Sequence, residues 1–140
     1  TEFSEVDIWS TNFLESEAGG SKKFNDIDYS TRVTLTKNGK NTQELDEFDP
    51  TNHQLKYHIT EGKSGIAQEA SSIWSLTDLG PNKTKVDLEF KFVATGWIGL
   101  LMSGKVRSGI NGTSAKIVED LKYYMENGTA HPQKIESLKK

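Results

Sequence analysis

The chain has 140 residues, with 17 Lys and Arg against 20 Asp and Glu, a net charge of -3 and no cysteine. That length suits one domain around one core. The balance of charge offers no basic stripe for nucleic acid, and the missing cysteines exclude disulfides and thiolate metal sites. No apolar run reaches the length of a membrane span. Charged residues at 26% and apolar ones at 34% describe a soluble globular chain rather than a disordered one. A cytoplasmic location is the expectation. Sequons at Asn82, Asn111 and Asn127 read as chance occurrences, because no other mark of secretion accompanies them.

In chain order, residues 1–8 read as the remnant of a short helix and Trp9 to Glu17 as extended, with a turn at EAGGSKK. Phe24 to Thr36 alternates, and Ile27, Tyr29, Thr31, Val33 and Leu35 are expected to face inward. KNGK (37–40) then predicts a tight hairpin, since Asn-Gly tolerates positive φ. Asn41 to Phe48 is the acidic return strand, with Leu45 inward. Asp49-Pro50 opens a second turn, where proline presets φ. Gln54 to Thr60 places Leu55, Tyr57 and Ile59 inward. Ile66 to Leu79 carries Trp74 and Leu76, and GPNK (80–83) leads into Thr84 to Thr95. There Val86, Leu88, Phe90 and Phe92 face one way, and Lys85, Asp87, Glu89 and Lys91 the other. Short turns throughout predict a meander of about six antiparallel strands, each paired with the next.

The period changes to helical from Leu100 to Glu126. The apolar stripe comprises Ile98, Leu101, Met102, Val106, Ile110, Ile117, Leu121, Tyr124 and Met125, interrupted by Gly99, Gly104, Gly109 and Gly112. A glycine in a helix interior costs about 1 kcal/mol against alanine. Three explanations stay open: close approach to the sheet, space left beside the helix, or a break near Gly109 to Gly112. Asn127-Gly128 is a C-terminal stop, and residues 129–140 read as a loose tail. The whole chain, 1–140, forms one α+β domain in which the helix covers the apolar face of the sheet.

LDEFDPTNHQLKYHITEG, then TKVDLEFKFVATG, then a helix ending EDLKYYMENG resembles the SRPBCC superfamily of START-like, helix-grip proteins. The nearest branch is that of the polyketide cyclase/dehydrase-like proteins. The likeness runs from Trp9 to Gly128. It implies a curved antiparallel sheet wrapped around a long C-terminal helix, with a hydrophobic cavity between them that holds lipid-like or polyketide-like molecules. It also implies a leading strand and a first short helix, which this chain is expected to lack.

The inward positions are almost all apolar, which describes a packed core or a pocket wall with a few polar anchors. The expected ligand-binding residues are Tyr29, Thr31, Tyr57, Ile59, Trp74, Phe90, Phe92, Met102, Val106 and Ile110. Tyr29 and Tyr57 would be the anchors, since a buried phenol needs a partner. His58 points outward by alternation, and His53, His58 and His131 have no metal-ligand spacing. Glu44, Asp46, Glu47 and Asp49 lack the pattern of a calcium loop and read as a solvated face. Glu47 is the best inward acid if the register holds, although a bulge would reverse it. The expectation is therefore a binding protein for a small hydrophobic molecule, monomeric or homodimeric, with no cofactor, no metal and no catalytic residue assigned. The alternatives are a cyclase or dehydratase using Tyr29, Tyr57 or Glu47, and a module that grips a partner protein in the same groove.

Overall fold

In the computed structural model six strands follow the turns legible in the sequence: β1 (Glu15–Gly19), β2 (Thr31–Thr36), β3 (Gly39–Asp49), β4 (Gln54–Glu61), β5 (Ala67–Asp78) and β6 (Thr84–Ala94). They form one antiparallel sheet in chain order. The structure describes residues 3–25, 27–63, 65 and 67–139, with the side chains of the same residues apart from 97–103 and 105–107. Helical turns flank the sheet. A 3-10 turn at Phe3–Glu5 runs into α1 (Val6–Trp9), and α2 (Gly96–Asn127) and α3 (Pro132–Ser137) follow the last strand. Among the described residues no helix is long and apolar enough to cross a membrane.

The strand and tail expectations need correction in several places. Trp9 closes α1, and the extended segment begins only at Glu15. Residues 20–25 and 27–30 are irregular: Phe24 and Ile27 form an isolated bridge, and β2 starts at Thr31. The faces of β2 are the reverse of the apolar reading. Arg32 and Thr34 are buried at 4% and 0% exposure, whereas Thr31, Val33 and Leu35 are half-buried on the opposite face. Register explains it. The hairpin pairs Thr36 with Gly39, Thr34 with Asn41 and Arg32 with Gln43, and cross-strand partners share a face. Leu45, on the face of Gln43 and 1% exposed, makes that face the inner one. A register shift between Leu45 and Glu47 then sends Glu47 outward, where it pairs with Lys56 at 2.5 Å.

β4, β5 and β6 place Tyr57, Trp74, Leu88, Phe90 and Phe92 inward, as alternation requires. The loop after β4 needs its glycine. Gly62 has φ +73°, and a Cβ there would lie 2.0 Å from the Lys40 carbonyl oxygen.

Backbone continuity in α2 rules out a break at Gly109 to Gly112. A Cβ at Gly104, Gly109 or Gly112 would meet nothing within 4 Å, and all three are exposed, so these glycines do not serve a close approach to the sheet; of the three, Gly109 borders a cavity. Ile117 is buried in a cluster with Val6, Trp9 and Phe13, and Leu121 and Tyr124 pack against it. Met125, expected on that stripe, is instead 65% exposed. The helix stops at Gly128, whose left-handed φ of +68° suits glycine and whose N–H donates to the Tyr124 carbonyl at 2.8 Å.

The final segment is not loose. Lys134 on α3 is 2% exposed and donates from Nζ to the Phe13 carbonyl. Burial pushes its pKa below the usual lysine value, opposed by Asp7 and Asp120. Asp120, fully buried on α2, accepts from the Thr11 N–H at 2.7 Å and pairs with Lys116 at 3.0 Å. Together these contacts tie the residues after α1 to both C-terminal helices.

Candidate functional site

Two adjoining cavities lie on the inner face of the sheet. The smaller, about 320 Å³, is bounded by Phe3, Val6, Trp9 and Phe13 from the N-terminal segment, by Arg32, Leu55, Tyr57 and Trp74 from the strands, and by Ile117 and Leu121 from α2. Asp49, Pro50 and His53 of the β3–β4 turn also border it. The larger, about 690 Å³, is bounded by Ile59, Ser72, Leu88, Phe90 and Phe92 from the sheet and by Gly109, Ile110, Thr113 and Ile117 from α2. Phe13, Tyr57 and Ile117 border both. Volumes of roughly 300–1,000 Å³ with mostly apolar walls are those of small-molecule sites.

Of the residues expected from the sequence, Tyr57 stands between the two cavities, Trp74 borders the smaller, and Ile59, Phe90, Phe92 and Ile110 border the larger. Tyr29 borders neither. Its ring stacks on Phe3 at 6.4 Å, and its hydroxyl accepts from the Ser4 N–H at 3.1 Å. Thr31 lies on the opposite face of β2 from buried Arg32. The side chains of Met102 and Val106 fall outside the described residues.

A polar network on β2 and β3 is the part that alternation alone hides. Arg32 Nε donates to Gln43 Oε1 at 3.0 Å, and a terminal nitrogen donates to the same oxygen. The other terminal nitrogen donates to the Phe3 carbonyl. Gln43 Nε2 donates to Asn41 Oδ1 at 2.8 Å, which also accepts from the Thr34 hydroxyl at 2.9 Å. Asn41 and Gln43 border the larger cavity and Arg32 the smaller. The guanidinium lies 4.0 Å from the Phe3 ring centroid and 5.2 Å from that of Tyr57, a cation–π arrangement. Burial lowers the Arg32 pKa from the usual arginine value, against the opposing influence of Tyr57, Tyr29 and Asp7.

The acidic return strand is ion-paired on the outer surface. Glu44 meets Lys22 at 2.5 Å, and Asp46 meets His58 Nδ1 at 2.8 Å. Among the described residues no cluster of His, Asp or Glu has the arrangement of a metal site. Asp49 orders the turn beside the smaller cavity: its Oδ1 accepts the N–H of Thr51 at 2.9 Å and of Asn52 at 3.0 Å, and its Oδ2 the Asn52 side chain at 2.6 Å. Bonds from Asn52 hold its carboxyl below the ordinary Asp value of 3.8. Its folded pKa is thus below the unfolded one, so its stabilising contribution is present above the unfolded value and lost as pH falls through the folded one. Asp49→Ala is expected to flatten the fall in Tm with acidification below about pH 4. An unchanged slope in thermal melts at stepped pH would contradict this.

A curved antiparallel sheet followed by a C-terminal helix is an α+β arrangement consistent with the helix-grip class. Comparison with solved structures gives the same answer. An uncharacterized protein from Bacillus thuringiensis is similar with a TM-score of 0.67 at 12% identity, over 89% of this chain and 84% of that one. The protein XoxI from Bacillus cereus reaches 0.72 at 12% identity, over 92% and 84%. A START superfamily protein from Mycobacterium smegmatis reaches 0.63 at 16% identity, over 84% and 80%. The fold is START-like. No family model and no curated protein matches the sequence.

Proposed function

We propose that this protein binds a small hydrophobic molecule, lipid-like or polyketide-like, in the space between the sheet and α2. The observation that carries the reading is the larger cavity. Ile59, Phe90 and Phe92 give it an apolar wall, and Ile110 and Ile117 of α2 line its helical side beside Gly109, where no side chain takes up room. A START-like fold is compatible with such binding. A carrier or sensor fits better than a cyclase. A proton-transferring role for Tyr29, Tyr57 or Glu47 is weakened because Glu47 pairs outward with Lys56 and the Tyr29 hydroxyl is held by the Ser4 N–H. Only Tyr57 of the three borders a cavity.

N-phenyl-1-naphthylamine, a neutral apolar fluorophore, tests the reading. Titration is expected to give saturable enhancement at one dye per chain. Gly109→Phe, which places a ring where a Cβ meets no neighbour, is expected to weaken dye binding at least about tenfold, a loss of about 1.4 kcal/mol, with the cooperative unfolding transition retained. Dye enhancement that never saturates, or that Gly109→Phe leaves untouched, would overturn the proposal.

A further inference from the structure

The smaller cavity holds an imbalance that an apolar ligand alone would not answer. Arg32 is 4% exposed and borders it. The groups that its guanidinium reaches, the Gln43 side-chain oxygen, the Phe3 carbonyl and the Tyr57 phenol, are not carboxylates. Among the described residues no carboxylate lies within the 4.0 Å of an ion pair, and Asp7 acts on it only as a more distant charge. Buried charges are normally paired, and a buried guanidinium is suited to the two oxygens of a carboxylate.

A second, independent observation points the same way. Trp9 is 5% exposed and borders the same cavity, and its Nε1 is buried with no acceptor among the described residues. Indole N–H groups are donors only and usually find a partner when buried. Phe13 lies near both groups: it belongs to the same buried cluster as Trp9, and its ring centroid lies 5.8 Å from the guanidinium. The side chains of Arg32 and Trp9 thus border one cavity, set among Phe3, Val6, Leu55 and Trp74, with the indole N–H itself covered.

From this geometry we infer that the ligand is an aliphatic carboxylic acid, bound with its carboxylate toward Arg32 and Trp9 in the smaller cavity and its chain along the apolar wall past Tyr57. This rests on the hydrophobic-ligand reading above and adds the chemical class to it. The carboxylate would supply the negative charge and the acceptor that Arg32 and the Trp9 N–H lack among the described residues.

Isothermal titration of the whole chain with decanoate and with decanol, at about pH 8 where the acid is ionised, separates the two claims. Decanoate is expected to bind at least about tenfold more tightly than decanol, as a charge-assisted bond to a buried cation allows. In Arg32→Met, which keeps the aliphatic stem and removes the charge, the acid-to-alcohol ratio is expected to fall to within about twofold of unity. Trp9→Phe, which keeps a ring and removes the N–H, is expected to lower the same ratio by a smaller factor, and it supplies the answer if Arg32→Met fails to fold. Equal affinity for acid and alcohol in the unaltered protein, or an acid preference that survives both substitutions, overturns this inference alone. Binding of neither compound, with N-phenyl-1-naphthylamine also unbound, overturns the hydrophobic-ligand reading as well.

Discussion

Trp9→Ala is expected to lower the free energy of unfolding by about 3–5 kcal/mol, the range for truncating a buried tryptophan. Trp9 is 5% exposed and belongs to the cluster that joins α1 to α2 through Val6, Phe13 and Ile117. Removing the indole opens one space between the N-terminal segment and the helix, and the backbone there is held by Asp120 and Lys134, so collapse into it is restricted. Trp9→Phe is the informative contrast. It removes a buried N–H that has no acceptor among the described residues, which offsets part of the packing lost, and a cost near 1 kcal/mol is expected. Urea unfolding followed by far-ultraviolet circular dichroism reads both. Equal losses for the two variants would mean that the indole N–H has a partner, and it would remove one of the two observations behind a carboxylate ligand.

Leu45→Ala is expected to cost about 2–5 kcal/mol. Leu45 is 1% exposed and sits with Phe3 and Tyr57, against which Phe24, Ile27, Phe48 and Leu55 pack. This cluster anchors Phe24, Ile27 and Tyr29 to the sheet, and the Leu45 N–H donates to the Ser30 carbonyl at 2.8 Å. It also positions Tyr57, the residue common to both cavities. The variant is therefore expected to lose dye affinity along with stability. A loss below about 1 kcal/mol in urea unfolding would show that the site collapses around the gap.

Much of the architecture is legible in the sequence because its turns are chemically explicit. Asn38-Gly39, Asp49-Pro50 and Gly80-Pro81 each separate paired strands, and β4 to β6 alternate cleanly. β2 misleads for a local reason: in TRVTLT the apolar Val33 and Leu35 share one face, and it is the outer one. The hairpin could have corrected this. A link that pairs Thr36 with Gly39 places Arg32 opposite Gln43 and Ser30 near Leu45, so an inward Leu45 requires an inward Arg32. The bulge that turns Glu47 outward carries no comparable mark, since it adds one residue without glycine or proline. The burial of Lys134 is equally hidden: it depends on a carbonyl 121 residues away, while PQKIES itself is polar. In α2 the sequence leaves the purpose of the glycines open; the continuous helix excludes the break, and the open surroundings of Gly104, Gly109 and Gly112 exclude the close approach.

Amide chemical-shift mapping during titration with N-phenyl-1-naphthylamine tests most directly whether the space between the sheet and α2 is a binding site. The account expects saturable shifts concentrated at residues that border the cavities, Tyr57, Ile59, Ser72, Phe90, Ile110 and Ile117 among them, with Val33 and Leu35 on the outer face of β2 unmoved. Shifts absent from the inner face, or confined to exposed apolar residues such as Leu79, Met125 and Leu138, would contradict it.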